Sequence, residues 1–234
     1  MAPSPGRRRG AAGWVGAGIL LSRISGVVRE QVIAFYLGSD RIAEVISAGL
    51  RTPNVIQNLL GEGTLSASFI PVYARMLEEG REEEAGRFAG AILGLLAVAA
   101  FSVALVGVLL APVIAEAFVR WEPSDRELLG RVLRILFPMT ATLVLSAWAL
   151  GILNSHRRFF LSYVAPVVWN GAIIASMVGA GRALTAGELG MDGFAVAFAW
   201  GALAGAVLQI AVQLPAVVSL LRGFRLSLGR SVAG

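Results

Sequence analysis

Six long apolar runs separated by short polar connections set the pattern of the chain: residues 11–37, 43–77, 85–115, 127–153, 158–181 and 191–221. A helix rises about 1.5 Å per residue and a bilayer's hydrocarbon core is about 30 Å thick, so each run is long enough to cross. The pattern predicts an all-α membrane protein, a six-transmembrane-helix bundle. The second run is too long for one straight span and is expected to bend. The connections fall at Gly38–Ile42, Glu78–Arg87, Arg120–Arg126, Asn154–Arg158 and Arg182–Asp192.

The first run carries an anomaly, Ser22-Arg-Ile-Ser-Gly-Val-Val-Arg-Glu30, with apolar residues on both sides. A guanidinium at mid-membrane costs at least about 2.5 kcal/mol and cannot shed its proton. Arg23 and Arg29 therefore require water, a counter-charge or an anionic ligand, and are expected to line a polar cavity. At six residues apart they point about a third of a turn away from each other on a regular helix. A kink at Gly26 would bring both to one cavity. In a second reading, Arg29 and Glu30 only mark an interfacial helix end.

In the second run Glu44, Arg51, Asn58 and Glu62 are spaced near whole helical turns and form one polar stripe. It is expected to face the same cavity, the carboxylates offsetting arginine charge. Pro53 removes a backbone hydrogen bond, and Gly61 and Gly63 flank Glu62, so a bend or unwound section is predicted. The alternative is a re-entrant elbow without a ligand.

The later spans carry fewer signals. Residues 88–115 lack ionisable groups and suit a packing or lipid-facing helix, whereas Arg131 and Arg134 open the fourth run where they can snorkel to an interface. Asn170 and Trp169 lie in the fifth run. Gln209 and Gln213 lie one turn apart in the sixth, as cross-helix hydrogen bonds or cavity lining.

Composition agrees: 56% of residues are apolar and 15% charged, with a mean hydropathy of +0.74, outside the balance of soluble domains. The net charge is +5 and every basic residue is an arginine, but these fall between apolar runs, as topology signals do, and no nucleic-acid partner is expected. Arg7–Arg9, Arg75, Arg81, Arg87, Arg157, Arg158, Arg222, Arg225 and Arg230 outnumber Arg41, Arg120, Arg126 and Arg182 on the other side. This predicts a cytoplasmic N-terminus at 1–10, a membrane lobe over 11–221 and a cytoplasmic basic tail over 222–234. The leading arginines also resemble a secretory leader, but the apolar run continues without a cleavage site, so a retained span is expected. With no cysteine and a single histidine, His156, thiol chemistry and a zinc centre are excluded. His156 reads as a solvated loop residue. No metal or cofactor is expected, and no nucleophile and base pair suggests an enzyme.

Four blocks in order carry a family resemblance: Ser22–Glu30; Leu50-Arg-Thr-Pro-Asn54 with Gly61-Glu-Gly63 and Ser66–Pro71; Gly151–Asn154 with Arg158-Phe159 and Ala165-Pro166; and Trp200 through Gln209 to Gln213-Leu-Pro215. Over residues 20–222 the chain resembles the MurJ (MviN) lipid II flippases of the MOP exporter superfamily. The resemblance implies a bacterial cytoplasmic-membrane protein that moves lipid II, an undecaprenyl-pyrophosphate-linked peptidoglycan precursor, outward by alternating access. It assigns Arg23 and Arg29 to substrate contact. The chain departs from the family at Gln57-Asn58, where a basic pair is usual, and at Glu44-Val45 and Arg29-Glu30. The family has about fourteen spans, so this chain is expected to be its first lobe only, a fragment or a half that pairs with a partner chain. Membrane lipids and a polyprenyl-pyrophosphate glycolipid are the other expected partners. Open alternatives are a related exporter of another lipid-linked oligosaccharide, and an inactive truncated protein or membrane scaffold.

Overall fold

The computed structural model describes residues 5–38, 41–58, 65–118 and 120–224. They form seven α-helices: α1 Pro5–Leu37, α2 Arg41–Gln57, α3 Ile70–Glu78, α4 Glu82–Glu116, α5 Pro123–Ser155, α6 Phe159–Thr185 and α7 Met191–Leu220, with a π-helical turn at Leu65–Phe69 before α3. Of these, α4, α5, α6 and α7 are long and apolar enough to cross a membrane. The first run is helical without interruption through Ser25-Gly26. The second is divided between α2 and α3, and Gly61, Glu62 and Gly63 lie outside the described residues. So do Arg225 and Arg230 of the basic tail.

The helix starts follow local chemistry. Pro123 sits in the first turn of α5 and Asp125 follows, while Glu82, Glu83 and Glu84 open α4; carboxylates there complement the partial positive charge of unpaired N–H groups. Gly80 and Gly187, at φ +75°, take the left-handed position just past α3 and α6.

Helix α5 is the centre. It packs against α4, α7 and α2, and α6 joins α7 to α1. Leu128, Leu129, Val132, Leu133, Leu136 and Trp148 of α5 are buried. Cross-contacts fix the directions. Gly107 meets Phe137 and Gly130 meets Pro112, while the Trp148 indole donates to the Ala89 carbonyl at 3.1 Å, so α4 and α5 are antiparallel. Arg131 pairs with Asp192 at 3.0 Å and Gln209 Nε2 donates to Ser146 Oγ at 2.6 Å, so α5 and α7 run parallel.

The α2 and α3 stretches together follow α5 along its length. Arg41 pairs with the buried Asp125 at 3.1 Å, a Cβ on Gly49 would press on Val132, and Tyr73 meets His156 beyond the last turn. Helix α1 runs parallel to α6, from Gly18 beside Tyr163 to Tyr36 beside Gly181. Glycines let these backbones approach, as in membrane bundles, where close van der Waals contact replaces the hydrophobic drive. The opposite face of α4, with Leu95, Val98, Leu105, Leu109 and Val113, is exposed.

His156 differs from its expected role as a solvated residue. It is half-buried, shares a 2.9 Å hydrogen bond with the Tyr73 hydroxyl and packs against that ring. The tight turn after Ser155 folds it back onto α3. Burial pushes its pKa below the ordinary histidine value, Arg158 adds to this, and Glu82 opposes it.

Two predictions follow from this packing. A Cβ on Gly107 would lie 2.2 Å from the buried Phe137 ring, so Gly107→Ala should cost about 1–3 kcal/mol through overpacking, outweighing its gain in helix propensity of about 1 kcal/mol. A thermal midpoint that rises in detergent would contradict this. For His156, the folded state binds the proton less well than the unfolded state. Its contribution is therefore present above about pH 6.5 and lost as pH falls below it. Thermal midpoints between pH 7.5 and 5 should fall less steeply in His156→Gln, and equal slopes would refute the assignment.

Candidate functional site

The site is built on the parallel seam of α1 and α6. Helix geometry puts Ser22, Ser25, Gly26 and Arg29 on neighbouring turns of α1, and α6 sets Trp169 and Asn170 opposite. Gly26 faces the amide, the position of its absent Cβ lying 4.0 Å from Asn170 Nδ2. Asn170, 5% exposed, is held from both ends. Its Nδ2 donates to Ser25 Oγ at 2.9 Å, and the Ser25 hydroxyl donates to the Ser22 carbonyl at 2.8 Å. Its Oδ1 accepts from Arg29 Nη1 at 3.1 Å.

The guanidinium of Arg29 is thus fixed on three sides. Nη2 donates to Glu30 Oε1 at 2.5 Å, and the group lies over the Trp169 ring, 5.1 Å from its centroid. Trp169 is itself anchored by its indole N–H on the Ala202 carbonyl of α7 at 3.0 Å. The Arg29 side chain is 21% exposed, against 62% for Glu30, and its Nε is buried without a partner. A cation over an aromatic face gains about 0.5–2 kcal/mol. What remains is a partly exposed guanidinium whose Nε has no acceptor among the described residues.

The other expected residues are distributed differently. Arg23 is exposed and makes no ion pair among the described residues; with α1 unbroken at Gly26, it points about a third of a turn from Arg29. Glu44 and Arg51 do come together, in a groove of about 540 Å³ that they line with Ser47 and Thr52 under Phe118 and Trp121. Asn58 is exposed and outside that lining, and Glu62 is outside the described residues. Pro53 is buried against the bundle. No residue of α1 lines the Glu44 and Arg51 groove, because α1 packs on α6 while α2 packs on α5. Among the described residues, Arg29 and the groove of Glu44 and Arg51 are thus two separate polar sites.

Sequence reasoning missed Asn170, Ser25 and Trp169 as partners of Arg29. The available signal was an amide in an otherwise apolar run, since a buried amide needs partners. Gln209 and Gln213 are accounted for otherwise: with Ser146, whose hydroxyl donates to Gln213 Oε1 at 2.8 Å, they form a buried link between α5 and α7. Among the described residues no cluster could hold a metal.

Four apolar crossing helices around a polar-edged bundle define an integral, all-helical membrane protein. The sequence model of the family described as Lipid II flippase MurJ matches residues 33–232, and the chain belongs to that family. It is 32% identical over 208 residues to a probable lipid II flippase MurJ of Rhizobium tropici, covering 85% of this chain and 37% of the relative. To the lipid II flippase MurJ of Burkholderia cenocepacia it is 32% identical over 199 residues, covering 84% and 37%. The chain thus spans a little over a third of the length of these relatives. A solved structure of a lipid II flippase MurJ in an inward closed conformation shares the fold, with a TM-score of 0.71 at 19% identity over 92% of this chain and 43% of the other.

Removing the Asn170 amide strands Arg29 Nη1 and Ser25 together. Asn170→Ala should cost about 1–3 kcal/mol and raise hydrogen exchange across residues 22–30 of α1. Unchanged exchange there would mean the amide does not hold the seam.

Proposed function

We propose that this chain forms the first lobe of a flippase for lipid II, the undecaprenyl-pyrophosphate-linked peptidoglycan precursor, and that Arg29 is its principal contact with the pyrophosphate. One observation carries the reading: a guanidinium eight residues before the end of α1, about 12 Å along the helix, oriented by Asn170 and Trp169 and left with a buried, unpartnered Nε. Family membership and the relatives' names support the substrate.

The chemistry follows from charge. Guanidinium forks match the geometry of phosphate oxygens, and at an effective dielectric near 20 a unit pair 4 Å apart gains about 4 kcal/mol. Without substrate, Glu30 supplies the counter-charge; a pyrophosphate, with more negative charge, displaces it and also accepts a hydrogen bond from Nε. Arg23, exposed on the neighbouring face of α1, meets the same headgroup from the side that a second lobe closes. Arg51 and Glu44 form a separate polar site on α2, which belongs with Asn58 and Glu62 to one polar stripe of the sequence and would be brought to the substrate path by a second lobe. Alternating access then requires the remaining lobe or a partner chain. No step makes or breaks a covalent bond, so the protein is a transporter and not an enzyme.

Six spans fit this reading. Helix α1 keeps pace with α6 from Gly18 to Tyr36, and α2 with α3 keeps pace with α5. Bends at Gly26 and Pro53 would let the two lobes close. The arginine distribution supports a cytoplasmic location for residues 1–10 and 222–234 of a bacterial inner-membrane protein with its lobe over 11–221.

Arg29→Ala, with the remaining lobe supplied, should abolish complementation of flippase-depleted cells. Arg23→Ala should act in the same direction. Full growth with both variants would remove the arginine contacts from the mechanism. Transport assays with defined lipid donors would reveal whether another lipid-linked oligosaccharide is the preferred cargo.

A further inference from the structure

We propose that a groove between the end of α4 and the start of α5 binds the phosphate of a glycerophospholipid headgroup, at a site separate from Arg29. The groove holds about 470 Å³ and is lined by Arg126, Arg131 and Arg134 of α5 with Glu116, Glu127 and the backbone of Gly130. Arg126, Gly130 and Arg134 follow one another at four-residue steps, on one side of the helix. At Gly130 the two helices come close: a Cβ there would lie 3.7 Å from the Pro112 Cα.

The arginines are not equally free. Arg131 is committed to Asp192 at 3.0 Å. Neither Arg126 nor Arg134 forms an ion pair among the described residues, and Glu116 and Glu127 reach neither of them. Arg126 Nε is buried with no hydrogen-bond partner. A buried charged donor without an acceptor is costly, and an anion entering the groove supplies one. With Arg131 neutralised by Asp192, two guanidinium groups and two carboxylates remain in the lining, so the groove's demand for an anion is local to the donors of Arg126 and Arg134 and not a matter of net charge.

The surroundings select a lipid phosphate. On α4, Leu105 and Leu109 are 61% and 67% exposed and lead by three- and four-residue steps to Pro112 and Glu116 in the groove wall. A chain lying on that apolar stripe brings its headgroup to the arginines, where the crossing segment ends. Arginines at such an end are placed to meet headgroup phosphates. That this is the outer leaflet rests on the orientation proposed above; the binding itself does not.

The test is native mass spectrometry of the detergent-solubilised chain with phosphatidylglycerol, diacylglycerol of the same acyl chains, and glycerol 3-phosphate. One phosphatidylglycerol should be retained, diacylglycerol should not, and glycerol 3-phosphate should fail to displace the lipid. Arg126→Gln with Arg134→Gln should weaken retention at least about tenfold, while Arg126→Lys with Arg134→Lys, which keeps the charge, should stay within about fivefold. Phosphatidylglycerol should raise the thermal midpoint of the wild type and of the lysine pair, which separates lost binding from lost folding. Equal retention by the glutamine pair, equal binding of diacylglycerol, or displacement by glycerol 3-phosphate would each overturn the proposal.

Discussion

A guanidinium that stays charged at every accessible pH, placed within an apolar helix, is the constraint to which the α1 side of the molecule answers. Arg29 needs an acceptor, a counter-charge and a polarisable surface, and α6 and α1 supply all three in Asn170, Glu30 and Trp169. Each of these has its own support. Asn170 leans on Ser25 and Trp169 on the Ala202 carbonyl, so the orientation of one cation draws on α1, α6 and α7 together. Gly26 lies beside the same amide, the position of its absent Cβ 4.0 Å from Asn170 Nδ2.

The rest of the bundle solves the general problem of a membrane interior, where lipid tails are as apolar as leucine and helices gain little from hydrophobicity alone. Small residues bring α4 against α5 and α6 against α7. Indole and hydroxyl donors then reach across to backbone carbonyls, as Trp148 does to Ala89 and Ser176 to Ala197 at 2.7 Å. The buried Ser146, Gln209 and Gln213 link adds a directional tie that apolar contacts lack.

Much of this was legible in the chain because length and hydropathy alone specify membrane helices. The runs at 85–115, 127–153, 158–181 and 191–221 lie on α4, α5, α6 and α7 to within a few residues. The arginines of α1 stood out for their cost, and Arg29 is where that cost is met. Their separation was not readable: whether Arg23 and Arg29 share a cavity depends on which helix α1 packs against, and no local pattern encodes that. The polar stripe of the second run was visible as a periodicity, yet periodicity does not name the facing element, which for Glu44 and Arg51 is the pair of rings Phe118 and Trp121. His156 was misjudged for the same reason, since its partner Tyr73 is remote in sequence and near only after α3 folds along α5.

The proposed contact with substrate requires position 29 to lie at membrane depth yet face water. The chain has no cysteine, so a single thiol can report it without background. In membranes, Arg29→Cys should react with a small, charged thiosulfonate at a rate near that of a loop thiol at Glu79→Cys, while Leu109→Cys on the exposed apolar face of α4 stays unreacted. A thiol at 29 as inert as the one at 109 would contradict the account.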